Sequence, residues 1–205
     1  MFFTICSSPF AVRDMSDQLL LPGFERHPAF DVLFFGLLLE AENASRIVQL
    51  RKRLCEEFGL SGRRIAADLL HISLHGIGAY DGLPRAVVQR AKQAGAAVLA
   101  QPFDIVLDRA MSFGPKRKVR PFVLRTGDEA ALVTFHRLLG RAMKNVGFRR
   151  TASRFTPHMT LLYGDRMVVE RSIDAIQWIV RDFVLIQSLW GRDEHIHLAR
   201  WSLRG

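Results

Sequence analysis

The sequence predicts an α+β protein made of two related halves. Three observations carry this: β-rich runs alternate with amphipathic helical stretches, several β-rich runs are joined as hairpins and so pair antiparallel, and one tetrapeptide pattern occurs twice. The pattern is His-x-(Ser/Thr)-Leu, found as His71-Ile72-Ser73-Leu74 and again as His158-Met159-Thr160-Leu161. On a β-strand alternate side chains face opposite ways, so each copy sets its His and hydroxyl on one face and its apolar pair on the other. One face is chemical and the other is core. If the halves face one another, two imidazoles and two hydroxyls converge on a single cleft.

With 205 residues the chain fits one bilobal unit, residues 31–205, preceded by an extension over 1–30 that packs on it. Its 49% hydrophobic and 24% charged residues exclude disorder as the main state. Lys and Arg outnumber Asp and Glu by 29 to 20, an excess that suits a polyanionic partner such as RNA or a phosphorylated small molecule, and equally suits solubility. Cys6 and Cys55 are too few and too far apart for a disulfide framework or a metal-binding cluster, so a reducing cytoplasm is the expected compartment. The apolar start, Met1 to Phe10, has no basic leader and is broken by Ser7, Ser8 and Pro9, which argues against a signal peptide. No apolar run reaches the roughly 20 residues that span a bilayer, and nothing signals a dimer, so a monomer away from the membrane is expected.

Asp31 to Leu38 is a continuous apolar run and reads as the first core strand. Ile47, Leu50, Leu54 and Phe58 form one stripe of a helix over about 42 to 58, which Gly59 stops. Ser61 to Arg64 reads as a loop, and Ile65 to Ile77 as the strand that contains the first motif. Asp81 is the expected cap of the next helix, with Pro84 in its first turn and Val87, Ala91, Ala94 and Val98 turned inward. Gln101 to Phe113 and Lys118 to Thr126 form a hairpin through Gly114-Pro115-Lys116-Arg117, the densest positive cluster, which either overhangs the cleft to hold phosphate or projects as a charged tip. A helix over about 128 to 146 carries Leu132, Phe135, Leu139, Met143 and Val146 inward. The second motif strand follows, then Gln177 to Ser188 as one long strand and His195 to Leu203 as its hairpin partner.

At the two motifs the sequence resembles the two-histidine (2H) phosphoesterases, and among them the 2′-5′ RNA ligase or RNA 2′,3′-cyclic phosphodiesterase family. The resemblance rests on His71, Ser73, His158 and Thr160, on Arg154-Phe155-Thr156-Pro157 leading into the second motif, and on the order of elements through the Trp178 and Trp201 strands. It implies two mainly antiparallel sheets flanked by helices around a central cleft, with pseudo-two-fold symmetry. It also implies a cofactor-free and metal-independent attack on a cyclic phosphodiester, with RNA bearing cyclic phosphate ends or a small cyclic nucleotide as partner. Residue chemistry asks for the same set. Opening a cyclic phosphate needs a base for water and an acid for the departing ribose oxygen, and imidazole serves either role near neutrality. Hydroxyls at Ser73 and Thr160 supply donors to the non-bridging oxygens. By similarity to the family, His71 is the proton donor and His158 the acceptor, with the roles exchanged for ligation.

Three positions depart from the family pattern: Ser73 replaces the usual Thr, and His75 and Tyr163 stand where Arg is frequent. Phosphate or base binding is expected of Ser73, Thr160, His75, Tyr163 and Arg154. For His75 a hydrogen-bonded place at the rim of the strand is the alternative. Two other chemistries fit less well. His71-x-x-x-His75 and His195-x-His197 resemble metal-ligand pairs, but the first lies on a strand with no acidic partner; Ser73 lacks the setting of a serine hydrolase nucleophile. A non-catalytic RNA-binding module using the basic surface with Phe113 and Tyr163 is the alternative from a different class.

Overall fold

The computed structural model describes residues 30–114, 118–149, 155–189 and 191–204. The expected extension over 1–30 and the tip of the basic loop therefore lie outside the described residues, except for Phe30 and Gly114. The elements are β1 (Asp31–Leu38), α1 (Ala41–Phe58), β2 (Gly62–Arg64), β3 (His71–Tyr80), α2 (Arg85–Ala96), β4 (Phe103–Ser112), β5 (Arg120–Arg125), α3 (Ala130–Asn145), β6 (His158–Gly164), β7 (Arg171–Val180), β8 (Asp182–Leu189) and β9 (Glu194–Ser202). All the described strand pairs are antiparallel, in the order β7-β4-β5-β6-β3-β1-β8-β9, with β2 added on β6.

The sheet has two four-stranded halves, β7-β4-β5-β6 and β3-β1-β8-β9. Each contributes its motif strand to the seam, where Ile72 pairs with Met159. The apolar stripes of the three helices, among them Ile47, Leu50 and Leu54, then Ala91 and Ala94, then Leu132, Phe135, Leu139 and Met143, share one core cluster with the sheet residues Phe35, Ile72, Leu107, Leu124, Met159 and Phe183. The core-side residues of both motifs, Ile72, Leu74, Met159 and Leu161, belong to it. A smaller cluster of Phe34, Val184 and Ile186 lies apart from this core. Those residues pair along the face that holds Ser73 (Gly36 pairs with both Ser73 and Val184), so this second cluster floors the cleft side of the β3-β1-β8-β9 half.

Four boundaries correct the sequence reading. Strand β3 begins at His71, not Ile65, because residues Ala67–Leu69 turn as a 3₁₀ helix with Leu69 N–H bonded to the Ala66 carbonyl. Ser61 to Arg64 is not a free loop, since Gly62–Arg64 pairs with Leu162 to Gly164. The cap of α2 is Pro84, whose fixed φ of −66° and missing N–H suit a helix start and whose carbonyl accepts from Val87 and Val88; Asp81 plays no part in it. Gln177 to Ser188 is two strands, with the break at Arg181, because β7 borders β4 while β8 lies between β1 and β9 in the other half.

Gly59 ends α1 as expected, in the left-handed region at φ 59°, where Leu60 N–H reaches the Cys55 carbonyl. Gly62 is more tightly constrained. Its φ is 137°, and a Cβ there falls 2.0 Å from the Tyr163 carbonyl oxygen. We expect Gly62→Ala to detach β2 from β6 and cost about 1–3 kcal/mol, read as a lower denaturation midpoint. An unchanged midpoint would show that β2 adds nothing to the sheet.

Candidate active site

The seam between β3 and β6 assembles the two motifs. Ile72 and Met159 are paired and face the core. Carrying that antiparallel register one residue in each direction sets His71 opposite Thr160 and Ser73 opposite His158, all four on the face away from the helices. The two histidines and two hydroxyls that the sequence singled out thus share one surface.

Each histidine is fixed in the same way. His71 Nδ1 lies 2.7 Å from the Leu69 carbonyl, delivered by the 3₁₀ turn, and His158 Nδ1 lies 2.8 Å from the Thr156 carbonyl, just before β6. A carbonyl only accepts, so Nδ1 carries the proton in both rings and Nε2 keeps its lone pair. The Ser73 hydroxyl donates to His71 Nε2 at 3.0 Å. Each ring also has an aromatic neighbour, Phe34 beside His71 and Phe113 beside His158, both at 5.0 Å between centroids.

Burial is the largest cause that pushes both histidines below the usual imidazole range. For His71 the value falls to about 4, with the Leu69 carbonyl opposing the shift and the neighbouring His195 and His158 adding to it. For His158 the direction is the same, with the Thr156 carbonyl opposing and Arg125 adding to it. Arg125 stands directly across from His158 on β5 and is held by Glu129 at 2.5 Å and Glu170 at 3.5 Å. It keeps a positive charge beside the second motif.

His75 and Tyr163 are placed by a shared irregularity. In the β1–β3 ladder Phe35 pairs with His75 and Gly36 with Ser73, so Leu74 is a bulged residue; in the β5–β6 ladder Phe122 pairs with Leu162 and Val123 with Thr160, so Leu161 is its counterpart. A one-residue slip reverses every later side chain. His75, expected beside His71 and Ser73, therefore turns into the core, where it is 1% exposed, bonds the His136 carbonyl at 2.8 Å and stacks on the His136 ring. It does not share the surface of His71, which also removes the pair as common metal ligands. The same slip on β6 turns Leu162 inward and returns Tyr163, half-buried, to the face of His158 and Thr160. Arg154 lies outside the described residues.

A further histidine joins the site. His195 on β9 has its ring 5.2 Å from that of His71 and 5.7 Å from that of Phe34. Its backbone pairs with Ser188, at the end of β1 remote from Leu38 and His71, so the half-sheet must curl strongly for these rings to meet. In the sequence His195 resembles only half of a ligand pair with His197, because the curl that brings it here is set by long-range pairing.

The family model of the 2′-5′ RNA ligase superfamily matches residues 60–192, a span that includes both motifs and the seam between them. The chain belongs to that superfamily. Solved structures agree. E. coli LigT in its apo form superposes with a TM-score of 0.67 at 26% identity, covering 86% of this chain and 99% of LigT. LigT complexed with 3′-AMP gives 0.70 at 24% identity, over 86% and 99% of the two chains. TT0787 of Thermus thermophilus gives 0.69 at 19% identity over 85% and 98%, a likeness of fold. None of the curated proteins matches the sequence. As a 2H phosphoesterase of the 2′-5′ RNA ligase superfamily, the protein has the phosphoesterase or ligase type of fold, and its large antiparallel sheet with three helices is the one those relatives share. No helix among the described residues is long and apolar enough to cross a membrane.

Proposed function

We propose that the protein opens 2′,3′-cyclic phosphates of RNA ends or small nucleotides to 2′-phosphates, using His71 and His158 as acid and base and no metal, and that the same site can run in reverse as a 2′-5′ RNA ligase. The observation that carries this reading is the seam: two imidazoles of like tautomer, each with Nε2 free of its backbone anchor, on one face beside two hydroxyls. Water loses a proton to His158 Nε2 as its oxygen bonds to phosphorus. The P–O3′ bond breaks on the opposite side, and O3′ takes a proton from His71 Nε2. Ser73, which donates to His71 Nε2 while that nitrogen is bare, turns its O–H to a non-bridging oxygen once the nitrogen carries a proton. Thr160 serves the same oxygens from the other strand, with Tyr163 on β6 as a substrate contact and Arg154, four residues before His158 in the sequence, as another. LigT, a relative, has been seen with 3′-AMP, ATP and NADP+, which supports a nucleotide or RNA end as the substrate class.

Incubation with 2′,3′-cyclic nucleotides, RNA ending in a cyclic phosphate, and ADP-ribose 1″,2″-cyclic phosphate tests the reading by which phosphate position remains. Salt-sensitive RNA binding with no ring opening would replace the enzyme with a binding module. The pH profile is a second test. Catalysis from the free enzyme requires protonated His71 and neutral His158, and both sit below the usual imidazole value of about 6.5. Activity falls above the pKa of the acid and below that of the base, so the optimum of kcat/KM is expected below about pH 6.5. The profile of kcat should be displaced upward, because a bound phosphate anion stabilises both imidazolium forms. A kcat/KM optimum near about pH 7.5 or above would contradict these assignments.

A further inference from the structure

His195 completes the His71 side of the cleft, and its two ring nitrogens differ from those of the motif histidines. Its Nδ1 is buried with no hydrogen-bond partner among the described residues. A buried N–H without an acceptor forfeits a hydrogen bond that a bare lone pair gives up more cheaply, so the ring proton belongs on Nε2. The motif histidines have the opposite arrangement, with Nδ1–H given to a carbonyl and Nε2 bare. The three rings thus offer two acceptor nitrogens and one donor nitrogen. The donor ring is positioned by edge contacts to His71 and Phe34, and Asp68, in the 3₁₀ turn before His71, is the carboxylate near it.

We propose that His195 is a phosphate-contacting residue, donating from Nε2 to a non-bridging oxygen of the phosphate seated between His71 and His158. A neutral donor suits that place, since it binds the anion without competing for the proton that His71 must deliver. The inference rests on the acid/base reading above and deepens it by giving the phosphate a third donor, from outside the two motifs.

Two substitutions separate hydrogen bonding from packing. His195→Phe keeps a ring against Phe34 and His71 but removes the donor; His195→Gln keeps an N–H donor but loses the ring. If His195 binds phosphate, the Phe variant weakens inorganic phosphate binding, followed by ³¹P NMR titration, and lowers kcat/KM on 2′,3′-cyclic AMP, each by about 10-fold or more, while the Gln variant recovers most of both. If the residue only packs, the order reverses, with Phe near the parent and Gln impaired, and the proposal is overturned. Phosphate binding is read independently of turnover. A parent protein that binds phosphate through His195 yet opens no cyclic phosphate would sink the catalytic reading and leave the contact standing.

Discussion

Replacing either motif histidine with alanine is expected to lower turnover on a 2′,3′-cyclic phosphate by roughly 10² to 10⁴, the usual loss when a positioned acid or base is removed. Both rings are half-buried; each gives up one bond to a backbone carbonyl, and His71 also its bond from the Ser73 hydroxyl, so unfolding should change by only about 1–2 kcal/mol. The double variant should be little worse than the poorer single one, because acid and base act on one transition state. The leaving group then distinguishes the roles. A phosphodiester whose leaving oxygen is already stable as an anion needs no acid, so His71→Ala should regain much of its rate on such a substrate. His158→Ala should not, because water still has to lose its proton. Full turnover in both alanine variants would remove the proposed function, and rescue of the opposite variant would exchange the two roles.

What could be read from the sequence, and what could not, divides along local and long-range interactions. The stripe Ile47, Leu50 and Leu54 and the stop at Gly59 are local, and α1 forms where they place it. The motif faces are local too, since Ile72 and Met159 must be core if His71 and His158 are not. Bulges are different. Whether Leu74 is skipped depends on how β1 meets β3, and Leu74 looks like any other apolar strand residue. The expectation for His75 failed for that reason, and the place of Tyr163 needed the matching slip at Leu161. The run from Gln177 to Ser188 is rich in β-branched and aromatic residues on both sides of Arg181-Asp182, and only the partners of β7 and β8 reveal that it changes halves there. His195 belongs to the same class, because no local pattern announces a ring that reaches the site through curling of a whole half-sheet.

The bulge that removes His75 from the cleft creates a buried pair whose titration should govern acid stability. His75 stacks on His136 at 3.7 Å between centroids, and His136 stacks on Phe155 at 4.1 Å. His75 Nε2–H donates to the His136 carbonyl, and the carbonyl of Leu74, the bulged residue, lies beside the His136 ring and opposes the lowering of its pKa. His75 Nδ1 and His136 Nε2 are buried without partners among the described residues. A proton added to either would be an N–H with no acceptor beside another imidazole, with Lys144 near His75 and Arg137 near His136. Burial is the leading cause that lowers both rings, taking His136 to about 4. The unfolded chain takes up these protons from about pH 6.5 downward while the folded protein resists them. Their stabilising effect is therefore complete above about pH 6.5 and is lost as the pH falls toward the folded values, with a slope of at most about 1.4 kcal/mol per pH unit for each ring. His136→Phe preserves an aromatic ring between His75 and Phe155 but cannot titrate. Its melting temperature should decline less steeply than the parent's between pH 6.5 and 4, so that the two curves converge or cross in acid. Parallel curves would mean that the pair is protonated in the folded protein, and that the bulge at Leu74 holds charge in the core.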